Sequence, residues 1–195
     1  MNREEDFENG KMTENQRDVS NAIKSAVKGN RTEKQFIINT RGGTGKTFLL
    51  NLILSYVRLL DENSIGLAVA FTGIAATLLK GGRTFNSRFK FPIQADALAS
   101  CNISKGTGLA RLIKNAKVII WDEAPMNNKV LLEALDKLLK DLMENDQPFG
   151  GKVIVLAGDF RQLPTVIQKE SRAQIVHASF KRSHLWQNFK EYELK

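Results

Sequence analysis

Phe36-Ile37-Ile38-Asn39-Thr40-Arg41-Gly42-Gly43-Thr44-Gly45-Lys46-Thr47-Phe48 is the stretch on which the fold turns. It opens with a short apolar run of buried-strand type and passes through a glycine-rich turn. From Phe48 to Leu60 it continues as an apolar segment of helix length. Strand, turn ending in Gly-Lys-Thr, and helix together are the context of a phosphate-binding loop. Glycines let backbone N–H groups converge on phosphate oxygens, and the helix N-terminus adds partial positive charge. Gly42, Gly43, Thr44, Gly45, Lys46 and Thr47 are therefore candidate ATP contacts. In such a loop the lysine reaches the β- and γ-phosphates and the Thr47 hydroxyl ligates Mg²⁺. A plain glycine-rich turn would not need Gly-Lys-Thr at this place. One departure stands out: the full pattern puts its first glycine at Thr40. Positive φ would strain a β-branched residue there, so the sequence predicts an altered loop and weaker nucleotide binding.

Outward from this stretch the chain alternates between two patterns. Thr13-Glu14-Asn15-Gln16 opens a helical segment carrying Val19, Ile23 and Val27, with Gly29-Asn30 as its stop. Gly66 to Phe71 is an apolar run, Ile74 to Leu79 a short helix, and Gly81-Gly82 a break. Val118-Ile119-Ile120-Trp121 is a further buried-strand candidate. Val130, Leu131, Ala134, Leu135, Leu138, Leu139 and Leu142 hold the helical period, and Val153-Ile154-Val155-Leu156 is a fourth strand. Apolar strands alternating with amphipathic helices predict an α/β fold, a mainly parallel sheet with helices on both faces. Residues 1–11 are polar and expected to be disordered, and weak periodicity between 86 and 112 predicts an irregular insertion.

Three further groups carry chemistry. Trp121-Asp122-Glu123 ends an apolar strand, where Asp122 can hold the Mg²⁺ shell and Glu123 can orient and deprotonate water. Paired carboxylates at a strand end can also be helix caps, but a glycine loop upstream makes that the minor reading. Gly158-Asp159-Phe160-Arg161-Gln162 follows the fourth strand, and a side-chain amide there can contact the γ-phosphate. A polar loop capping the sheet edge is the alternative. Thr13-x-x-Gln16 reads first as a capping box, in which the glutamine satisfies a backbone N–H of its own helix. An adenine contact is the functional alternative.

A length of 195 residues suits one domain with an ordinary core. The single Cys101 excludes an internal disulfide and any multi-cysteine metal site. Glu4, Glu5, Asp6 and Glu8 near the N-terminus are unlike a secretory or transit peptide. The run from Ile65 to Leu79 is too short for a membrane span, so the sequence predicts an intracellular soluble protein. A net charge of +8 suits a polyanionic partner, though a basic inert surface would read the same. Distribution says more: no Asp or Glu falls between Gly73 and Ala95, where Lys80, Arg83, Arg88 and Lys90 alternate with Phe85, Phe89 and Phe91. Charges for phosphates interleaved with rings for bases suit single-stranded nucleic acid. Alternatively, the rings fill the core and the charges are solvated.

Taken together, Gln16, GGTGKT at 42–47, FTGIAA at 71–76, GGRTFNSRFKFPI at 81–93, WDEAPM at 121–126 and GDFRQLP at 158–164 resemble the petite-integration-frequency family of superfamily 1 DNA helicases. The helitron-transposon type is the most similar, and the resemblance runs from about Met12 to the C-terminus. It implies a RecA-like domain, ATP-driven 5′-to-3′ DNA unwinding and Mg²⁺ dependence. It also implies roles in DNA repair, recombination, telomere maintenance or transposition, and a nuclear location. Single-stranded DNA and DNA junctions are the implied partners. Gln16 is implied as an adenine contact, Lys46, Glu123 and Gln162 as catalytic, and Thr47 and Asp122 as Mg²⁺ ligands. Thr72 and Gly73 match the motif that holds single-stranded DNA by its phosphates, and Thr84, Ser87 and Arg88 match the next stretch of the DNA path. Arg83 and Lys90 join them by charge. Asn86 stands where relatives usually carry histidine.

The resemblance also implies a second RecA-like domain, which supplies an arginine to the γ-phosphate. The sequence stops at Tyr192-Glu193-Leu194-Lys195, where the link to it is expected. Residues 12–195 are thus read as the first motor domain, slow in hydrolysis and unable to translocate unless the second is supplied elsewhere. Two other readings stay open: a degenerate nucleotide- or nucleic-acid-binding module, and a small-molecule kinase. The second lacks a lid with clustered arginines.

Overall fold

A computed structural model describes residues 12–92, 103–162 and 178–195. The sequence reading of residues 1–11 as a disordered tail lies outside these. The first helix, α1 (Glu14–Val27), starts where Thr13 and Gln16 form the capping box, each side chain bonded to the other's backbone N–H. It buries Val19, Ala22, Ile23 and Ala26. β1 (Gln35–Thr40) follows, and then α2 (Lys46–Leu60) begins directly after Gly45. β2 (Ile65–Ala70), the one-turn α3 (Gly73–Thr77), the two-residue β3 (Arg83–Thr84) and α4 (Phe85–Phe89) come next. α5 (Gly108–Asn115) leads into β4 (Ala116–Asp122). α6 (Lys129–Met143), β5 (Val153–Gly158) and β6 (Lys190–Leu194) complete the order.

Among the described residues the strands form one six-stranded sheet in the order β3-β2-β4-β5-β1-β6, and every pairing is parallel. Because side chains alternate along each strand, the sheet feeds two cores. Ile37, Leu67, Val69, Ile119, Trp121, Ile154 and Leu156 face α5, α6 and the phenylalanines of residues 85–91. Phe36, Ile38, Ala68, Val118, Ile120, Val153 and Val155 face α1 and α2. A sheet buried on both faces explains why its strands read as continuous apolar runs. All carboxyl ends of the strands lie along one edge, the usual place for a ligand site in such sheets.

Two expectations are corrected here. Residues 86–112 are not simply irregular: Phe85 and Phe89 lie one turn apart on α4, and Thr107 caps α5 by accepting from the Ala110 N–H. Only 93–102 fall outside the described residues. Thr40 does not open a distorted loop. It is the last residue of β1, buried and in register with Leu194, and it is not among the residues with positive φ. The tight turn starts one residue later, so a β-branched residue is in place there.

Candidate nucleotide and nucleic-acid site

Left-handed backbone in the glycine loop falls where glycines stand, at Gly43 (φ 81°) and Gly45 (φ 75°). The Thr44 hydroxyl donates to the Arg41 carbonyl at 3.0 Å and closes the loop on itself. Gln16 holds it from beneath: its Nε2 donates to the Thr44 carbonyl at 2.9 Å, while its Oε1 accepts from the Thr13 N–H at 3.2 Å. A Cβ at position 45 would stand 2.6 Å from that Nε2, so a side chain there would push Gln16 off the loop. The cap reading therefore holds, and the same side chain also supports the glycine loop, its amide bonded to protein at both ends. Gln16 is buried and does not line the cavity described next.

A cavity of about 370 Å³ opens above the loop, within the range of small-molecule sites. Its lining includes Gly42, Gly43, Lys46, Thr47, Glu123 and Gln162. Lys46 Nζ forms an ion pair with Asp122 Oδ1, and the same oxygen accepts the Glu123 N–H at 2.8 Å. Asp122 is buried at the end of β4, a position that favours a cation beside it. Glu123 sits in the left-handed region at φ 52°, unusual for a non-glycine residue and frequent at functional sites. Its Oε2 accepts both the Thr72 N–H at 3.1 Å and the Thr72 hydroxyl at 2.9 Å. Gln162 is exposed on the turn after β5. Asn39, at the end of β1, accepts from the Phe160 N–H at 3.2 Å and so ties that turn to the strand leading into the glycine loop. The Arg161 guanidinium, hydrogen-bonded to Asp159, holds that carboxyl below its ordinary range.

Thr72, Gly73, Arg83, Thr84, Ser87, Arg88 and Lys90 follow β2 along the same edge, and Gly73, Arg83, Ser87 and Lys90 are exposed. Thr84 caps α4 by accepting from the Ser87 N–H. Arg88 Nη2 donates to the Gly81 carbonyl at 3.0 Å, but its Nε is buried without a partner. Burial, and then the charge of Arg83, lower the Arg88 pKa. Two neighbouring guanidiniums with no carboxylate between them are suited to an anion. The three rings resolve against base stacking. Phe85, Phe89 and Phe91 are buried, Phe85 stacking on Trp121 with centroids 3.9 Å apart and on Phe91 at 5.5 Å. They hang the basic segment from β4; an aromatic run beside lysines and arginines cannot announce which side of the backbone its rings take. Asn86 bonds through Nδ2 to the carbonyls of Phe91 and Pro92, closing the turn after α4.

One set of contacts was missed by sequence reasoning. Asn51 on α2 donates to the Leu78 carbonyl at 2.8 Å and accepts the Lys80 N–H at 2.7 Å. Ser55 accepts from Lys80 Nζ at 2.6 Å, and Arg58 donates to the Lys80 carbonyl at 2.9 Å. Thr47, Asn51, Ser55 and Arg58 recur at helical spacing through an otherwise apolar helix, a polar stripe that could have flagged the contact. The helix that begins at the glycine loop thereby grips the turn that ends α3.

The description "PIF1-like helicase" matches residues 11–195. An ATP-dependent DNA helicase Pif1 of Psychrobacter is 34% identical over 139 residues, covering 70% of this chain and 20% of the relative. The Candida albicans ATP-dependent DNA helicase PIF1 is 36% identical over 130 residues, 65% of this chain and 14% of the relative. The chain thus spans only a fraction of the length of these relatives. Among solved structures, the Candida albicans Pif1 helicase superposes with a TM-score of 0.75 at 28% identity, over 94% of this chain and 40% of that one. A Bacteroides Pif1 helicase in complex with ADP-AlF3 and single-stranded DNA gives 0.76 at 26% identity, over 94% and 42%. Among the described residues no helix is long and apolar enough to cross a membrane. A family match over nearly the whole sequence, agreeing with a parallel sheet that carries a glycine loop and an Asp-Glu pair at one edge, leads to one assignment: this chain belongs to the PIF1-like helicase family.

Proposed function

We propose that residues 12–195 form the first motor domain of an ATP-dependent DNA helicase, hydrolysing ATP as the step that drives 5′-to-3′ unwinding. The observation that carries this reading is the Thr72–Glu123 hydrogen-bond pair, which joins the nucleotide cavity to the basic segment along one sheet edge. Backbone N–H groups of Gly43 to Thr47 bind the phosphates, and Lys46 Nζ turns from Asp122 to the β- and γ-phosphates. Glu123 takes the proton of the attacking water, and Gln162 contacts the γ-phosphate. Gln16 supports the loop from below, and its amide keeps a second N–H and a second lone pair with which to contact adenine.

Mg²⁺ fits the donor set: a threonine hydroxyl and a carboxylate are hard oxygen ligands. The Asp122 carboxylate already holds a cationic group, the Lys46 ammonium. Thr47 and Asp122 would hold it, and when bound it neutralises phosphate charge. Thr72, Gly73, Arg83, Thr84, Ser87, Arg88 and Lys90 grip single-stranded DNA, the last five from a segment whose aromatic side is buried. DNA junctions, and a nuclear role in genome maintenance, belong to the same proposal.

Phosphate release by the chain, with and without single-stranded oligothymidylate, tests the reading. Hydrolysis that DNA stimulates and that Lys46→Ala removes is expected. DNA binding without any Lys46-dependent hydrolysis or nucleotide binding would favour a nucleic-acid-binding module instead.

A further inference from the structure

We infer that Thr72 is a positioning residue that withholds Glu123 from catalysis until single-stranded nucleic acid binds. The inference rests on the ATPase reading above and adds to it a physical link between the two ligands.

Both donors of Thr72 converge on one atom, Glu123 Oε2: the backbone N–H at 3.1 Å and the hydroxyl at 2.9 Å. The hydroxyl has no freedom to turn away, because its oxygen also accepts the Ala75 N–H at 3.2 Å. Nor can the Thr72 segment drift, since Asn51 fixes the far end of α3 through Leu78 and Lys80. On the other side, Glu123 leaves β4 in a left-handed conformation, and its N–H is bound to Asp122. Two hydrogen bonds to one oxygen tether the whole carboxylate at Thr72, so neither of its oxygens reaches a water at the γ-phosphate until that tether is released.

A phosphate oxygen is the same kind of acceptor as a carboxylate oxygen, anionic and suited to N–H and O–H donors. Two anions cannot share the two Thr72 donors, because like charges at contact distance repel. A strand phosphate arriving at Thr72 therefore takes the place of Glu123 Oε2. The released carboxylate accepts a proton from water. That water's oxygen bonds to the γ-phosphorus as the bond from this phosphorus to the bridging oxygen of ADP breaks, leaving ADP, phosphate and a proton. DNA thus switches hydrolysis on by competing for hydrogen bonds, with no large movement of the sheet.

The test is phosphate release by the full chain, with and without oligothymidylate, for Thr72→Val and Thr72→Ser. Valine keeps the shape and the backbone N–H but removes the hydroxyl. The DNA-free rate of T72V should rise by about tenfold, the weight of one hydrogen bond to a charged group, and the stimulation by DNA should shrink in proportion. T72S, which returns the hydroxyl, should bring the DNA-free rate back down. A misfolded variant cannot produce a gain in rate. A DNA-free rate in T72V that is unchanged or lower overturns the inference and leaves Thr72 as a plain phosphate contact. Lys46→Ala separates the two claims: if it hydrolyses ATP as fast as the parent chain, the ATPase reading is what fails. The latch is then judged by the ¹³Cδ resonance of Glu123. It should move on adding oligothymidylate towards its position in T72V, and a resonance that stays still overturns the latch.

Discussion

The glycine loop at 41–47 and the basic segment at 83–91 occupy the same edge of the sheet, yet they are held in opposite ways. The loop takes its shape from its backbone: two glycines at positive φ, one internal hydrogen bond and one glutamine beneath. None of its residues is fully buried. The segment takes its shape from its side chains, with Phe85, Phe89 and Phe91 inserted beside Trp121 while Arg83, Ser87 and Lys90 stay outside. A site held by backbone can change its ligand contacts without disturbing the core. A site hung on aromatic rings binds well only while the core is intact.

The sharpest way to break the comparison is Lys46→Ala. It should cut ATP hydrolysis by about a hundredfold or more, as loss of a group aimed at transition-state charge does, measured by phosphate release at saturating ATP. Phe85→Ala should instead act through the fold, costing about 3–5 kcal/mol in urea denaturation, and should weaken oligothymidylate binding as the segment loosens. Lys90→Ala in the same segment should leave stability within about 0.5 kcal/mol. If Phe85→Ala weakened DNA binding without loss of stability, the ring would be a base contact after all. Replacing Arg83, Arg88 and Lys90 together by alanine should reduce the slope of log affinity against log salt by about two, from roughly 0.7 per single-strand phosphate contact. The smallest expected effect on the nucleotide cavity is the most pointed. Thr40→Gly, which restores the full glycine pattern, should destabilise the chain by about 1–3 kcal/mol, through a buried side chain lost and backbone freedom gained, and leave nucleotide affinity unimproved. Tighter binding would mean that the loop is imperfect without that glycine.

What could be read from the residues follows the same division. Backbone-determined features were legible, because glycine, lysine and threonine at fixed spacing have few other uses, and buried parallel strands are apolar throughout. Phe85, Phe89 and Phe91 were ambiguous because a phenylalanine serves a core and a base stack equally well. Thr40 misled because the pattern counts positions, while the turn itself begins after the strand has ended. β3 has only two residues and no period to detect. β6 does alternate, with Tyr192 and Leu194 packed on the core between exposed Lys190, Glu191 and Glu193, but five residues make a faint signal. The contacts of Thr72 with Glu123, and of Asn51 with Leu78 and Lys80, join residues far apart in the chain. No local pattern encodes such pairs, although the polar stripe on α2 marks one side of the second.

The place of β1 in the sheet bears on how the protein is made. Its neighbours are β5 and β6, with Gln35 opposite Ile154 and Phe36 opposite Lys190. A ribosome has therefore released the entire glycine loop long before either strand that flanks it exists. Pairings this distant in sequence are slow to form, and an unpaired apolar strand is exposed to aggregation while it waits. Nascent chains ending before Val153 should carry every residue of the glycine loop and yet have no pocket. The cavity above the glycine loop, first to be legible in the sequence, is among the last parts of the molecule to be assembled.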